Sequence, residues 1–150
     1  MINQVWLGAD HGGVKLKQAV VAWIKRQHPQ LNINDVGTFD VLPVDYPDIA
    51  KQVAASVAAD ANSAGILICG TGNGMCMVAN KIKGIRAAVV FNQFTGQMAK
   101  AHNHANIICL GERSTSEADA MAALKAWLET AEEGDRHQRR VDKIEGLERI

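Results

Sequence analysis

Gly65-Ile66-Leu67-Ile68-Cys69-Gly70-Thr71-Gly72-Asn73-Gly74 is the stretch that decides the fold. Its first half is a short apolar run without polar alternation, as in a strand buried on both faces. Its second half sets glycines at alternate positions, which stop the strand and lead into a helical spacing from about Met75 to Lys81. A buried strand running through a glycine turn into a helix is half of a β–α–β unit.

The same alternation repeats on both sides of it. Val5–Leu7, Ile33–Val36, Ala87–Phe91 and Ile107–Leu110 are further short apolar runs. Between them lie helical spacings. Val14, Leu16, Val20, Trp23 and Ile24 share a face of a helix ending near Gln27, ahead of Pro29. Ile49, Val53, Ala54 and Val57 mark a second, opened by Pro47 and Asp48; another runs from about Gln93 to Ala101. Ser116 precedes an Ala-rich helix in which Met121, Leu124 and Leu128 recur. Alternating strands and helices imply right-handed crossovers onto a parallel sheet covered on both faces. The expectation is a three-layer α/β/α, Rossmann-like domain over residues 1–150, with a mostly parallel five-stranded sheet. An extra C-terminal helix, residues 135–150, follows the break at Glu133-Gly134-Asp135. Its Val141, Ile144 and Leu147 are enough to dock on something, which suits a tail covering an interface between two copies.

Composition narrows the partners. The length of 150 residues, the hydrophobic fraction of 47% and the charged fraction of 21% suit one globular domain. Sixteen basic residues balance sixteen acidic ones, leaving no global field toward nucleic acid or an anionic membrane. Any bound anion has to be gripped locally. The N-terminus enters a strand pattern directly, without the layout of a secretion signal, and no apolar run approaches membrane-span length. Cys69, Cys76 and Cys109 are odd in number and form no C-x-x-C pair. Reduced thiols and a cytoplasmic location are therefore expected.

Ligands of open α/β sheets bind beyond the carboxyl ends of the strands. Asp10 and His11, in Gly8-Ala9-Asp10-His11-Gly12-Gly13, stand at such a position, where a helix N-terminus favours anions. An N-cap aspartate beside a solvated histidine is the plain alternative. Gly70, Gly72 and Gly74 free successive amides to form an anion-binding nest. The spacing is neither a P-loop nor a dinucleotide fingerprint. Cys69 closes the strand just before that nest, where oriented amides favour a thiolate over the free thiol of pKa about 8.5. Cys76 and Cys109 are read as small buried hydrophobes. His102, Asn103, His104 and Asn106 crowd a turn that rarely needs such residues, yet no acid or thiol stands nearby at metal-ligand spacing. Arg136 and Arg140 share a helical face and would clamp a phosphate; a solvated basic face is the alternative.

Together these segments resemble the ribose-5-phosphate isomerase B family, which includes galactose-6-phosphate and allose-6-phosphate isomerases. The resemblance rests on G-A-D-H-G-G at 8–13, D-V-G-T at 35–38, D-Y-P at 45–47 and G-I-L-I-C-G-T-G-N-G at 65–74. It continues in A-N-K-x-x-G-I-R at 79–86, H-N-x-x-N at 102–106, G-x-R at 111–113 and R-H-Q-x-R at 136–140, nearly the whole chain in order.

The resemblance implies an aldose–ketose isomerase acting on a small phosphosugar, ribose 5-phosphate first, in carbohydrate metabolism and the pentose phosphate pathway. Cys69 is the implied base between C1 and C2, in the subgroup using cysteine where others use a glutamate at the position of Met75. Thr71 and the amides of Gly70, Gly72, Asn73 and Gly74 hold the enediolate. His102 assists ring opening, and Asp10 and Asn103 orient hydroxyls. His11, Arg113, Arg136, His137 and Arg140 line the phosphate pocket, and Tyr46 the sugar. No metal or organic cofactor is implied. The family's site lies between two subunits, so a homodimer is expected, with tetramers left open. His104 departs from the family's usual Asp or Asn. The competing readings are the same reaction on a tetrulose, allose or galactose phosphate, a phosphosugar-binding protein without catalysis, and a cysteine hydrolase using Cys69 and His102.

Overall fold

The computed structural model describes residues 1–147, and the sequence-predicted final turn to Ile150 lies partly outside them. Five strands form one parallel sheet: β1 Gln4–Ala9, β2 Asn32–Asp35, β3 Ser63–Cys69, β4 Ala87–Val89 and β5 Ile107–Gly111. Six helices alternate with or follow them: α1 Val14–Gln27, α2 Tyr46–Ala59, α3 Asn73–Ala79, α4 Gln93–Ala101, α5 Glu117–Glu129 and α6 Asp135–Gly146. Strand order is β2-β1-β3-β5-β4. The crossovers through α1 and α4 run one way along the sheet, and those through α2 and α3 the other. A single crossover handedness puts these pairs on opposite faces. The core is divided accordingly.

Leu16, Val20 and Ile24 of α1 pack with Ala120, Ala123, Leu124 and Trp127 of α5 on one face of the sheet. Ala50, Val53 and Val57 of α2 pack with Met75 and Ala79 of α3 on the other. Both clusters include residues of β3, which is buried along its whole length. That is the physical reason for its unbroken apolar run. The Trp127 indole donates to the Ala105 carbonyl at 2.8 Å, which satisfies its one polar atom inside the core.

Two boundaries differ from the sequence expectation. β4 stops at Val89 rather than Phe91 because the amides of Phe91 and Asn92 both donate to Thr95 Oγ1, at 2.9 and 3.1 Å. The chain there is already the capping box of α4, with Asn92 as cap. α3 starts at Asn73, before Met75, because Gly72 takes φ 81° and turns the chain directly into the helix.

α4 and α5 pack unusually close at Gly96, where an added Cβ would lie 2.3 Å from the Ala123 carbonyl oxygen. Alanine normally stabilises a helix over glycine by about 1 kcal/mol. Here overpacking reverses the sign: Gly96→Ala is expected to cost about 1–3 kcal/mol, read as a lower thermal midpoint. An unchanged or higher midpoint would show that the two helices separate freely.

Candidate functional site

The predicted residues of β1, β3 and the turn after β5 meet beyond the carboxyl ends of the strands. The Asp10 amide donates to the Ile68 carbonyl at 3.1 Å, and its buried carboxylate accepts the Gly12 amide at 2.8 Å. Asp10 therefore braces the turn, and α1 begins after Gly13 without a side-chain cap. The Leu16 amide in the first turn of α1 donates instead to Glu112 Oε2 at 2.9 Å. Exposed His11 accepts the Val44 amide on Nδ1 at 3.3 Å, which ties the 37–45 segment to this edge. Arg113 sits against the glycine loop: its amide donates to the Gly70 carbonyl, and its guanidinium would lie 3.4 Å from a Cβ on Gly70. A Cβ on Gly74 would come within 2.6 Å of the Tyr46 ring, so that ring lies directly over the loop.

Cys69 closes β3 at the centre of this group. It is 6% exposed, and its Sγ accepts the Gly72 amide at 3.1 Å. Thr71 and Asn73 are exposed beside it, with the Asn73 amide 3.4 Å from Thr71 Oγ1. Met75, at the position of the other subgroup's glutamate, is wholly buried among the apolar residues under the loop. The loop thus presents one sulfur, one hydroxyl and several amides, with no carboxylate on it.

The other two thiols are not simply buried hydrophobes. Cys109 is buried in β5, but Cys76 is half-buried, its Sγ donating to the Ala87 carbonyl at 3.3 Å and accepting from Asn80 Nδ2 at 3.5 Å. The neighbouring Cys109 thiol, with help from Val89 and Asn80 and against burial, lowers Cys76 from the usual thiol value to about 7. Cys76 and burial push Cys109 well up. Near neutral pH, iodoacetamide is expected to label Cys76 long before Cys109, with a midpoint near pH 7 read by mass spectrometry of the peptides. A Cys76 midpoint near that of a free thiol would contradict this.

The remaining predicted residues are elsewhere. His102 and Asn103 precede β5, whereas Arg113 follows it and Cys69 pairs with Gly111 at its far end. One chain therefore holds two groups at opposite ends of the strands, separated by the length of β5, about 15 Å at the usual rise per residue. His137 of α6 stacks on His102 with ring centroids 4.0 Å apart and planes 10° from parallel. Arg136 Nε donates to His137 Nε2 at 3.2 Å. Arg136 and Arg140 are exposed, whereas His137 is buried. Burial, then the neighbouring His102 and Arg136, lowers the His137 pKa below the ordinary histidine value, with Glu133 acting against them.

Sequence proximity offered this turn no acid, but folding supplies two. Glu133 Oε2 lies 3.7 Å from His102 Nε2 and 3.4 Å from His137 Nε2. Glu132 pairs with Lys100 at 2.7 Å and lies 3.8 Å from His104. His102, Glu133 and His137 have the donor types of a metal centre and lie within 4.8 Å of one another. Their arrangement does not converge on one ion, however. Near-parallel stacked rings aim their lone pairs side by side, and the His137 Nε2 lone pair already accepts from a guanidinium. Glu133 was invisible in the sequence as a site residue because it read only as part of a helix break. A cavity of about 400 Å³ at this same end of the sheet, lined by Arg86, Lys100, Trp127 and Glu132, takes in Asn106 but none of the residues assigned a catalytic or substrate-binding role. Its cations are already paired, Lys100 with Glu132 and Arg86 with Glu145.

Known proteins share both the pattern and the fold. The family model described as ribose/galactose isomerase matches residues 5–144. Ribose-5-phosphate isomerase B of Escherichia coli is 38% identical over 147 residues, covering 98% of this chain and 97% of its own. The type B ribose 5-phosphate isomerase of Trypanosoma brucei superposes with a TM-score of 0.93 at 40% identity, over 98% of this chain and 99% of its own. Ribose-5-phosphate isomerase B of Mycoplasma genitalium, solved with bound ribulose-5-phosphate, gives a TM-score of 0.90 at 40% identity over 97% and 96%.

Proposed function

The chain belongs to the ribose/galactose isomerase family, and on that premise we propose that it interconverts ribose 5-phosphate and ribulose 5-phosphate. The observation that carries the mechanism is Cys69, a thiol at the end of a buried strand with the Gly72 amide on its sulfur. In the ring-opened aldose, Cys69 removes the proton from C2 and returns it to C1, while the proton of the C2 hydroxyl passes to O1. Between the two transfers the charge rests on the enediolate oxygens, which the loop amides and Thr71 stabilise as preorganised donors. His102 serves the preceding step: it takes the proton of the C1 hydroxyl as the ring C–O bond breaks, the ring oxygen takes a proton from water, and His102 then returns its own to solvent. Arg113, His11, Arg136, His137 and Arg140 grip the phosphate, whose remote binding energy holds C1 and C2 over the sulfur.

These roles require Cys69 and His102 at one substrate, and in a single chain they lie at opposite ends of the strands. The reading therefore includes a homodimer in which His102, Asn103 and α6 of one copy complete the Cys69 site of the other. Exposed Ile144 on α6 and Leu147 at its C-cap support it, since only Val141 and His137 of that helix are buried in their own chain. The described helices include none long and apolar enough to cross a membrane. A cytoplasmic enzyme of the pentose phosphate pathway, using no metal or organic cofactor, completes the proposal.

The test is an isomerase assay on ribose 5-phosphate, allose 6-phosphate, galactose 6-phosphate and tetrulose phosphates, with EDTA throughout. Strong turnover of ribose 5-phosphate in EDTA is the expected result. Preference for another sugar would keep the chemistry and replace the substrate. Binding without turnover of any of them would replace the enzyme by a phosphosugar sensor.

A further inference from the structure

Two segments far apart in sequence are fastened together at the His102 edge. The Glu133 amide donates to the Ala101 carbonyl at 2.9 Å. The His104 ring, 4% exposed, meets the Glu133 carbonyl at 2.8 Å through Nε2. His104 adopts φ 48°, a left-handed conformation uncommon for a non-glycine residue, and its own amide donates to the Lys100 carbonyl at 3.1 Å. Arg86 Nε adds a bond to the His104 carbonyl at 3.1 Å. The backbone of Glu133 is thus fixed against the turn that carries His102. Its carboxylate is left half-exposed, facing the two histidine Nε2 atoms.

We propose that Glu133 is the positioning residue for His102, orienting the imidazole through Nε2 and stabilising the charge it gains when it takes a proton. The inference rests on the isomerase reading above and deepens it. A carboxylate is the right group for this task. At 3.7 Å the contact is an ion pair rather than a hydrogen bond, and its Coulombic attraction sets in as the proton arrives on the imidazole. The stacked His137 ring closes one face of His102 and limits its rotation. His104 acts one step further back, as the buckle that holds Glu133 in place; this explains its burial and accounts for a histidine at that point.

The carboxylate has an opposite effect on binding. It lies 3.4 Å from His137, one of the groups assigned to the phosphate, and so repels the dianion that those groups attract. Catalysis and binding are thereby opposed at one residue, a signature that a purely structural acid does not have.

Glu133→Gln keeps the size of the side chain but removes its charge, and the exposed position tolerates the change. Its kcat on ribose 5-phosphate is expected to fall at least ~10-fold, part of the 10²–10⁴ that an acid–base group supplies. Its KM should hold or fall. Exchange of the C1 proton of ribulose 5-phosphate with deuterium oxide should stay within about twofold, because that exchange needs Cys69 and no ring opening. Glu133→Ala, losing reach as well as charge, should show the same split, and Glu132→Gln should leave kcat unchanged. An unaltered kcat in both Glu133 variants, or a parallel loss of turnover and exchange, would overturn the proposal. An unaltered protein lacking both turnover and exchange would overturn the isomerase reading, and this inference with it.

Discussion

Cys69→Ala is expected to lower turnover of ribose 5-phosphate by at least ~10³-fold while the protein stays folded and still binds the sugar. The size follows from the chemistry. The only sulfur of the loop is the proposed carrier of the proton between C1 and C2, and loss of an acid–base group costs about 10²–10⁴. Water in a closed loop of amides is a poor replacement. Binding should survive because the proposed phosphate grip belongs to other residues. The structural cost is small: a 6% exposed side chain loses one atom, and the Gly72 amide loses the partner it had at 3.1 Å. One such hydrogen bond is worth about 1 kcal/mol, a shift of a few degrees in the thermal midpoint at this chain length. Exchange of the C1 proton of ribulose 5-phosphate should disappear along with turnover. Near-normal turnover in Cys69→Ala would remove the thiol from the mechanism. A half-exposed Cys76 with a pKa of about 7 makes alkylation a poor substitute for this experiment, since it would be modified at neutral pH as well.

Much of the fold was readable because burial leaves a direct trace in the residues. β3 is buried throughout and reads as an unbroken apolar run, and the glycines after it mark the turn into α3. The order β2-β1-β3-β5-β4 was not readable. β4 and β5 are similar short apolar runs, and nothing local says that the chain passes over the place of β5 before returning to fill it. The end of β4 was misjudged for a related reason. Val90 and Phe91 look like strand, but Thr95 claims the next amides from four residues further on.

The candidate site was legible in its residue types and not in its arrangement. Asp10, Cys69, Thr71 and Arg113 are announced by the turns in which they stand, and the structure gathers them at one edge. His102 and His137 were singled out separately, but their stacking depends on α6 returning across the turn before β5. Glu133 lies about thirty residues from His102 in the chain and looks like an ordinary surface acid in a helix break. Only its amide bond to Ala101 and the grip of His104 on its carbonyl bring it to the histidines. His104 was noticed for departing from the family's usual residue, and its burial and left-handed backbone give it a structural task.

His102→Asn should prove nearly as damaging as loss of the thiol, by about two orders of magnitude, if ring opening is its step. The two lesions can then be set against each other. Cys69→Ala and His102→Asn proteins, each nearly inactive alone, are mixed in equal amounts and allowed to exchange subunits, and turnover of ribose 5-phosphate is measured. In a mixed dimer with sites shared between copies, one site combines the intact Cys69 of one chain with the intact His102 of the other. Random exchange makes half of the dimers mixed, so recovery of about one quarter of normal activity is expected for a two-fold symmetric pair. If each site were built from a single chain, every site in the mixture would carry one lesion. Activity remaining at the level of the separate variants, after exchange has been verified, would contradict a site formed between two copies.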